Sequence, residues 1–510
     1  MLAKVLTSAV LGIDAYIIKV EVDISKGLPA FNIVGLPDTS VRESRDRVMS
    51  AIKNSELEFP TKRMTVNMAP ADIKKEGASF DLAIAIGILA AHGQVRTDKL
   101  KDYVFLGELA LDGSIRQVRG VLSIALALRQ EKVKGIIVPE HNKTEAGVIE
   151  SLAVYPVTHL RQVVDFLNNE SKLPKFKFNL QEAFERNCRY EVDFSDVKGQ
   201  MFAKRALEVA AAGGHNILLI GSPGSGKTML AKRLPTILPD MSLEESIETT
   251  KIHSVSGNLD GLSLVATRPF RSPHHTISDV ALIGGGTYPK PGEVSLSHNG
   301  VLFLDELPEF HRNVLEVLRQ PLEDGVVTIS RAVTSLTYPA KFMMVAAMNP
   351  CPCGYHGDSK QECLCSVFKV QKYLSRVSGP LLDRIDIHVE VPRLKFTEMN
   401  NETPAESSAA VKERVNQARA IQQQRFQKEK NIYCNAHMQP KHLRKYCQLT
   451  VESQELLKNA INKLNLSARA YDRILKVART ISDLENQPQI QSNHIAEALQ
   501  YRSLDKNLFA

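Results

Sequence analysis

Short apolar runs alternate with amphipathic stretches through the first third of the chain. Apolar runs typical of β-strands lie at residues 16–22, 64–68, 104–106 and 135–139. Helical periodicity covers residues 40–54 and 120–132. This alternation predicts an α/β or α+β unit that ends near residue 167.

The first apolar residues, 5–13, faintly resemble a secretory leader because they follow Lys4. Thr7 and Ser8 interrupt the run, which continues into Asp14 without a clear small-residue cleavage site. We therefore expect a first β-strand at this position and a cytoplasmic protein.

Two polar stretches divide the rest of the chain. Residues 168–190 are polar and weakly periodic, which predicts a linker. Another polar break follows residue 392, so we expect a first domain over 1–167, a second α/β unit over 191–392 and a helical domain over 393–510. Helical periodicity in this last domain covers residues 409–428, 451–464, 468–483 and 492–501.

Composition excludes several classes of protein. Of the 510 residues, 43% are hydrophobic and 24% charged, which excludes general disorder. The longest uncharged apolar run, Leu82–Ala91, is well short of the roughly 18 residues of a membrane span, so no membrane partner is expected. Seven cysteines are too few for a disulfide scaffold and indicate a reducing compartment.

The net charge of +7 is mild for this length. Residues 411–447 carry nine basic and two acidic residues, an excess equal to that of the whole chain. Such a stretch is either a solvated helix face or an auxiliary DNA-binding surface.

The most specific motif follows a buried-strand pattern at residues 217–220. It is a G-x-x-x-x-G-K-[ST] loop, made of Gly221, Ser222, Pro223, Gly224, Ser225, Gly226, Lys227 and Thr228. Backbone N–H groups of such a loop converge on phosphate oxygens at a helix N-terminus. We expect ATP here, with Lys227 on the β- and γ-phosphates and Thr228 on Mg²⁺.

Polar residues end two further apolar runs. Asp305 and Glu306 follow residues 300–304; Asp305 fits a partner of Mg²⁺, and Glu306 fits the residue that activates the attacking water. Asn349 follows residues 343–348 and either contacts the γ-phosphate, orients the water or is simply a turn residue.

Four of the cysteines form a C-x-C-x9-C-x-C pattern: Cys351, Cys353, Cys363 and Cys365. Four thiolates can enclose a tetrahedral structural Zn²⁺. Reduced thiols and a redox pair are the open alternatives.

Together these motifs resemble the AAA+ ATPases of the magnesium-chelatase-like group over nearly the whole chain. Besides the motifs above, the matching segments are residues 196–200 (DVKGQ), 271–275 (RSPHH), 318–323 (LRQPLE), 349–354 (NPCPCG) and 379–386 (GPLLDRID). The resemblance implies an α/β AAA+ P-loop ATPase core, a C-terminal helical lid, and an N-terminal α+β domain like that of ribosomal protein S5 and Lon protease.

The resemblance also implies roles for two arginines. Arg384 matches the arginine finger that reaches the γ-phosphate bound to the neighbouring subunit, where a guanidinium stabilises transition-state charge. Arg469 matches the second sensor on the helical lid. A finger supplied by a neighbour implies an oligomer, and the family implies a homo-hexameric ring.

Insertions of this family point into the pore of the ring. By resemblance they correspond to the Gly-rich residues 284–290 and to a hairpin around residues 325–341. We expect single-stranded or branched DNA to pass through this pore. The candidate contacts are a stacking residue, Tyr288, and three basic residues, Lys290, Arg331 and Lys341.

The N-terminal domain carries a broken catalytic pattern. Ser79 falls where the Lon protease has its nucleophile, but Leu122 stands where that protease has its lysine. Because a serine nucleophile needs a base, we expect a non-proteolytic domain that serves ring assembly or DNA contact.

The resemblance implies a DNA helicase or translocase driven by ATP hydrolysis. Its task would be branch migration in homologous recombination during natural transformation. The alternatives are a chelatase-type motor that acts on a metal–porphyrin partner complex, a Lon-like ATP-dependent protease, and a nucleotide-gated scaffold without enzymatic activity. The S5-like domain and the C-x-C pairs argue against the first, Leu122 against the second, and Asp305, Glu306 and Arg384 against the third.

Overall fold

A computed structural model describes most of the chain. It covers residues 2–502 and 504, apart from residues 72–74, 76, 189, 260, 287–288, 331–334, 359–360, 395–404, 430–431 and 465–466. Within this part of the chain, no helix is both long and apolar enough to cross a lipid bilayer.

The strands belong to two main sheets and three short ribbons. In chain order they are β1 Leu2–Leu11, β2 Asp14–Ser25, β3 Ala30–Val34, β4 Arg63–Ala69, β5 Tyr103–Phe105, β6 Glu108–Leu109, β7 Ile115–Arg116, β8 Gly135–Pro139, β9 Val154–Val157, β10 Ile217–Ile220, β11 Phe270–Arg271, β12 Gly284–Gly285, β13 Lys290–Pro291, β14 Val301–Leu304, β15 Val326–Ser330, β16 Ser335–Pro339, β17 Met343–Met348 and β18 Ile387–Glu390.

The helices are short over most of the chain and longest near its C-terminus. In chain order they are α1 Thr39–Asn54, α2 Asp81–His92, α3 Val121–Leu128, α4 Lys143–Gly147, α5 Leu160–Leu167, α6 Leu180–Asn187, α7 Met201–Gly213, α8 Lys227–Ile237, α9 Leu243–Ser256, α10 Asp279–Ile283, α11 Glu293–Leu296, α12 Arg312–Glu316, α13 Arg319–Asp324, α14 Val367–Leu374, α15 Gly379–Leu382, α16 Ser408–Phe426, α17 Pro440–Tyr446, α18 Val451–Leu464, α19 Ala468–Leu484 and α20 Ser492–Gln500.

The first of two compact units contains Met1–Cys188 and Leu243–Ala266. Its sheet has the order β3-β4-β2-β1-β5-β8-β9, antiparallel at β1–β2 and β2–β4 and parallel elsewhere. Helix α2 is apolar on all sides, so it lies fully buried against β1 and β2. The N-terminal apolar residues form strand β1, as the sequence predicts.

The unit boundary differs from the predicted domain boundary in two places. Residues 243–266, predicted within the second α/β unit, cluster with the first unit because α9 packs against α3 and Leu264 is buried in the same core. The predicted linker also belongs to this unit: Phe176 and Phe178 pack against its core, and α6 follows them.

The second unit contains residues 189–242 and 267–510. Its sheet has the order β11-β14-β17-β10-β18, and every pair in it is parallel. Strands β10, β14 and β17 are fully buried, which explains their continuous apolar sequences. Because the strands are parallel, their carboxyl ends lie at one edge of the sheet.

The C-terminal helices join this core rather than forming a separate one. Helices α16 and α19 pack on α7, and α16 also packs on α8. Apolar residues of these helices, such as Val415 and Ile474, share one cluster with strand residues such as Ile217. The fold is therefore mixed α/β with a parallel sheet and a C-terminal helical domain, as predicted from the sequence.

Candidate active site

The loop between β10 and α8 has the shape that its glycines allow. Gly226 has φ +96°, a left-handed conformation that L side chains rarely adopt, just before α8 begins at Lys227. Gly221 is needed for a different reason, since a Cβ there would lie 2.2 Å from the Val391 carbonyl oxygen. The loop consequently presents the N-terminus of α8 to the edge of the sheet, where backbone N–H groups are available to an anion.

Lys227 is directed back over this loop. Its Nζ donates to the carbonyl oxygens of Gly221 and Ser222, at 2.7 and 3.0 Å, and to Asn349 Oδ1 at 3.2 Å. Only 8% of Lys227 is exposed, and this burial lowers its pKa while the carboxylates of Asp305 and Glu306 act in the opposite direction. A cation held in this position suits a phosphate oxygen as an additional partner.

Thr228 and Asp305 form the oxygen-rich side of the site. The Thr228 hydroxyl donates to Asp305 Oδ2 at 2.8 Å, which joins the start of α8 to the end of β14. A hydroxyl and a carboxylate are the hard oxygen ligands that Mg²⁺ prefers, so the pair fits this ion.

Glu306 lies beside Asp305 in an uncommon backbone conformation. Its φ is +55°, in the left-handed region, where a residue other than glycine is strained by about 1–3 kcal/mol. Its side chain is 54% exposed, and Oε2 lies 3.2 Å from Nδ1 of His275. The carboxylate is thus accessible to a water molecule and has one imidazole partner.

His275 was not predicted as a site residue. The sequence indicated the two histidines only through the family-matching segment 271–275. His274 stacks on His275 with ring centroids 4.1 Å apart, and His274 itself contacts Thr276.

Two more residues support the phosphate loop without being predicted. Gln200 Nε2 donates to the Ser225 carbonyl oxygen at 3.2 Å and to that of Pro392 at 2.6 Å. Asp358 Oδ2 accepts a 2.6 Å hydrogen bond from the Ser222 hydroxyl. Gln200 is the last residue of the family-matching segment 196–200, whereas no motif in the sequence pointed to Asp358.

Each of the two arginines with a role implied by the resemblance forms an ion pair with an acidic side chain. Arg384 forms an ion pair with Glu323, and its side chain is 13% exposed. Arg469, at the start of α19, is 66% exposed and pairs with Asp383 at 3.1 Å. Both guanidinium groups are therefore held by acidic side chains of the second unit, near the end of α15.

The candidate DNA contacts fall into three situations. Lys290 is exposed on the two-stranded ribbon β12–β13, where it pairs with Gly285. Lys341 is exposed at the base of the β15–β16 hairpin, with Nζ 4.9 Å from the ring centroid of Tyr433. Tyr288 and Arg331 lie outside the described residues.

Several basic residues of the stretch 411–447 form ion pairs within the second unit. Lys412 pairs with Asp240, Arg414 with Glu208 and Glu406, Arg425 with Asp483, and Lys445 with Glu429. These pairs join parts of the stretch to acidic residues of the same unit.

The four clustered cysteines meet in space. All four sulfur atoms lie within 4.8 Å of one another, and the thiols are free. Cys351 is buried, and the other three are partly buried.

Three family profiles match successive parts of the chain. Residues 20–142 match "Subunit ChlI of Mg-chelatase", residues 193–399 match "Magnesium chelatase, subunit ChlI", and residues 405–502 match "Magnesium chelatase, subunit ChlI C-terminal".

Relatives that match over nearly their full length include two at 46% identity. The competence protein ComM of Haemophilus influenzae is 46% identical over 505 residues, 99% of this chain and 98% of that protein. The uncharacterized protein YifB of Escherichia coli is 46% identical over 509 residues, again 99% of this chain and 98% of the relative. The magnesium-chelatase 38 kDa subunit of Rhodobacter capsulatus is 24% identical over 177 residues, which is 31% of this chain and 50% of that subunit.

Proposed function

We propose that this chain, which belongs to the magnesium-chelatase-like family of AAA+ proteins, binds and hydrolyses ATP in a homo-hexameric ring that moves DNA strands. The observation that carries the proposal is the meeting of Lys227, Thr228, Asp305 and Asn349, which come from one helix start and two strand ends. This arrangement supports phosphoryl transfer from a nucleotide to water.

The side chains divide the work by their chemistry. Lys227 neutralises the β- and γ-phosphates, and Thr228 with Asp305 would hold Mg²⁺, which supplies Lewis-acid stabilisation of the transferring phosphoryl group. Glu306 is placed to accept a proton from the attacking water, and His275 positions its carboxylate. Asn349 orients that water or contacts the γ-phosphate.

Arg384 acts in this proposal on the nucleotide of a neighbouring subunit. Its side chain is held by Glu323 within its own subunit, so it must exchange that carboxylate for a phosphate oxygen when the ring assembles. Arg469 exchanges Asp383 for the nucleotide of its own subunit when the lid closes. Both exchanges couple the helical domain and the ring to nucleotide binding.

The DNA task is supported by the relatives and by the exposed basic residues. A protein named for competence matches the chain end to end, and we propose that this chain likewise promotes branch migration during natural transformation. Lys290, on the exposed ribbon, together with Arg331, Lys341 and Tyr288, is the proposed pore contact to single-stranded or branched DNA.

Strand movement on forked and three-stranded DNA tests the proposal. The wild-type protein is expected to displace strands only with ATP and Mg²⁺, and Lys227→Ala is expected to lose both ATP hydrolysis and strand movement. Alanine at Lys290 and Arg331 is expected to remove the stimulation of ATP hydrolysis by DNA while basal hydrolysis continues. Failure of an ATPase-active preparation to move either substrate would overturn the DNA assignment.

A chelatase-type motor is the competing function, because the family profiles are described by a magnesium-chelatase subunit. The chelatase subunit of Rhodobacter capsulatus, however, matches only 31% of the chain, whereas ComM and YifB match 99%. ATP hydrolysis that responds to porphyrin-bound chelatase partners but not to DNA would favour this competing function.

A further inference from the structure

The four clustered cysteines have the spacing of a metal centre. The Sγ atom of Cys351 lies 3.3 Å from that of Cys353 and 3.7 Å from that of Cys363, and the last two are 3.6 Å apart. A tetrahedron with Zn–S bonds of about 2.3 Å has sulfur–sulfur edges of roughly 3.8 Å. These separations are much longer than a disulfide bond of about 2.05 Å, so the sulfurs surround a space of the size that a zinc ion needs.

The cluster combines one buried cysteine, Cys351, with three that are partly buried.

The segment between the two C-x-C pairs touches the phosphate loop. A Cβ at Gly354 would lie 2.5 Å from Cδ of Pro223, so only glycine permits this close approach. Four residues further along the chain, Asp358 accepts the 2.6 Å hydrogen bond from Ser222. Asn349, two residues before the first pair, accepts a hydrogen bond from Lys227, so residues on both sides of this pair contact the phosphate loop.

Arg393 adds a third link between the segment and the loop. Its Nη2 donates to the Pro223 carbonyl oxygen at 3.3 Å, and its Nε lies 3.6 Å from Asp358 Oδ2. The guanidinium also lies over the ring of Tyr355, 5.2 Å from its centroid. Asp358 is only 4% exposed, so its position depends on these partners.

We propose that Cys351, Cys353, Cys363 and Cys365 bind one Zn²⁺ as thiolates, and that the metal holds the segment 349–358 as a brace against the phosphate loop. The thiol protons pass to solvent when the metal binds. Without the metal, the segment is no longer held at its cysteines, and its contacts no longer fix the positions of Pro223 and Ser222. The effect on nucleotide binding rests on the proposed function, whereas the metal site does not.

Metal analysis of the purified full-length protein tests the first half. About one zinc per chain is expected by inductively coupled plasma mass spectrometry. The double variant Cys353→Ser/Cys365→Ser is expected to lose it, while Cys188→Ser, which changes a cysteine of the first unit outside the cluster, keeps it. No zinc in the wild type, iron in its place, or retention by the double variant would overturn the site.

The brace is tested by Asp358→Ala, which leaves all four cysteines in place. We expect zinc content and the thermal unfolding midpoint of the wild type, with ATP analogue binding weakened about three- to tenfold, as the loss of one or two hydrogen bonds predicts. Glu362→Ala, an exposed acidic residue next to Cys363, is the control and should bind the analogue normally.

The outcomes separate the two proposals. Normal binding by Asp358→Ala with zinc present would overturn the brace. A wild-type protein that holds zinc but binds no ATP analogue would overturn the proposed function and leave the metal site supported.

Discussion

At the scale of single residues, the site depends on pairs that join distant parts of the chain. Thr228 meets Asp305, Lys227 meets Asn349, and Glu306 meets His275. Lys227 and Thr228 belong to the phosphate-loop motif, Asp305 and Asn349 follow apolar runs, and all four were predicted as site residues, with a turn role left open for Asn349. The partner of Glu306 lay in a segment recognised only by resemblance, and its side-chain contact could not be predicted because no local pattern specifies it.

His275→Ala is expected to lower kcat for ATP hydrolysis about tenfold, since the Glu306 carboxylate loses its one imidazole partner and is less well oriented. KM for ATP should change little, because His275 contacts none of the phosphate-loop residues described. Steady-state kinetics of the DNA-stimulated reaction provide the measurement.

A matched variant distinguishes positioning from simple damage. His275→Asn keeps an N–H donor near Glu306 and should recover most of the lost kcat. If both variants hydrolyse ATP at the wild-type rate, His275 has no role in positioning Glu306.

At the scale of elements, a buried polar network joins the helical domain to the sheet. Asp386, just before β18, accepts from His215 Nδ1 at 2.9 Å and pairs with Arg473 of α19. His215 Nε2 also contacts the Thr480 hydroxyl, on α19, at 2.8 Å. The lid therefore meets the core through charges as well as through apolar packing.

Burial alone would raise the pKa of Asp386, but Arg473 and His215 outweigh it and lower that pKa below its ordinary 3.8. A carboxyl with a lowered folded-state pKa stabilises the fold above its unfolded pKa, and this stabilisation is lost as pH falls below about 4.

Asp386→Asn is expected to lower the free energy of unfolding of the second unit by about 3 kcal/mol at pH 7, because it removes a buried carboxylate and leaves the partly buried Arg473 guanidinium without its anion. Urea unfolding followed by circular dichroism measures the change, and the variant should lose less stability than the wild type between pH 5 and pH 3.

The control is Asp383→Asn, which removes the partner of the exposed Arg469. Its cost should stay below about 1 kcal/mol, since solvent screens such a pair. Equal effects of the two variants would contradict the expectation that the Asp386 network stabilises the fold more than the exposed Asp383–Arg469 pair does.

At the scale of the whole molecule, the proposed activity needs more than one chain. Arg384 is paired with Glu323 of its own subunit, and the resemblance assigns it to the nucleotide of a neighbour. A site completed by a neighbouring subunit has a signature that a self-sufficient site lacks, since two different defective subunits can restore it together.

Arg384→Ala and Lys227→Ala are each expected to abolish ATP hydrolysis as pure proteins. An equal mixture, assembled from dissociated subunits, should regain about a quarter of the wild-type rate, because in a random ring one interface in four pairs an intact phosphate loop with an intact arginine. A mixture that stays inactive, despite ring formation seen by light scattering, would place Arg384 outside the neighbouring site.

The sequence by itself determined the local elements and the motifs at their ends. Continuous apolar runs predicted β10, β14 and β17, and the structure places each within one residue of its predicted bounds. Apolar period and flanking polar residues are local properties, so they can be read from neighbouring residues. Helix α17 was not predicted, because its short and strongly basic sequence shows no apolar helical period.

Only the tertiary structure decided which distant residues meet. It assigned residues 243–266 to the first unit, matched the basic stretch 411–447 with acidic partners, and brought Asp358 to Ser222. It also placed the four cysteine sulfurs within 4.8 Å of one another, which the sequence spacing offered only as one of several alternatives. Such contacts depend on how whole elements pack, and a side chain carries no local mark of a partner that lies a hundred or more residues away.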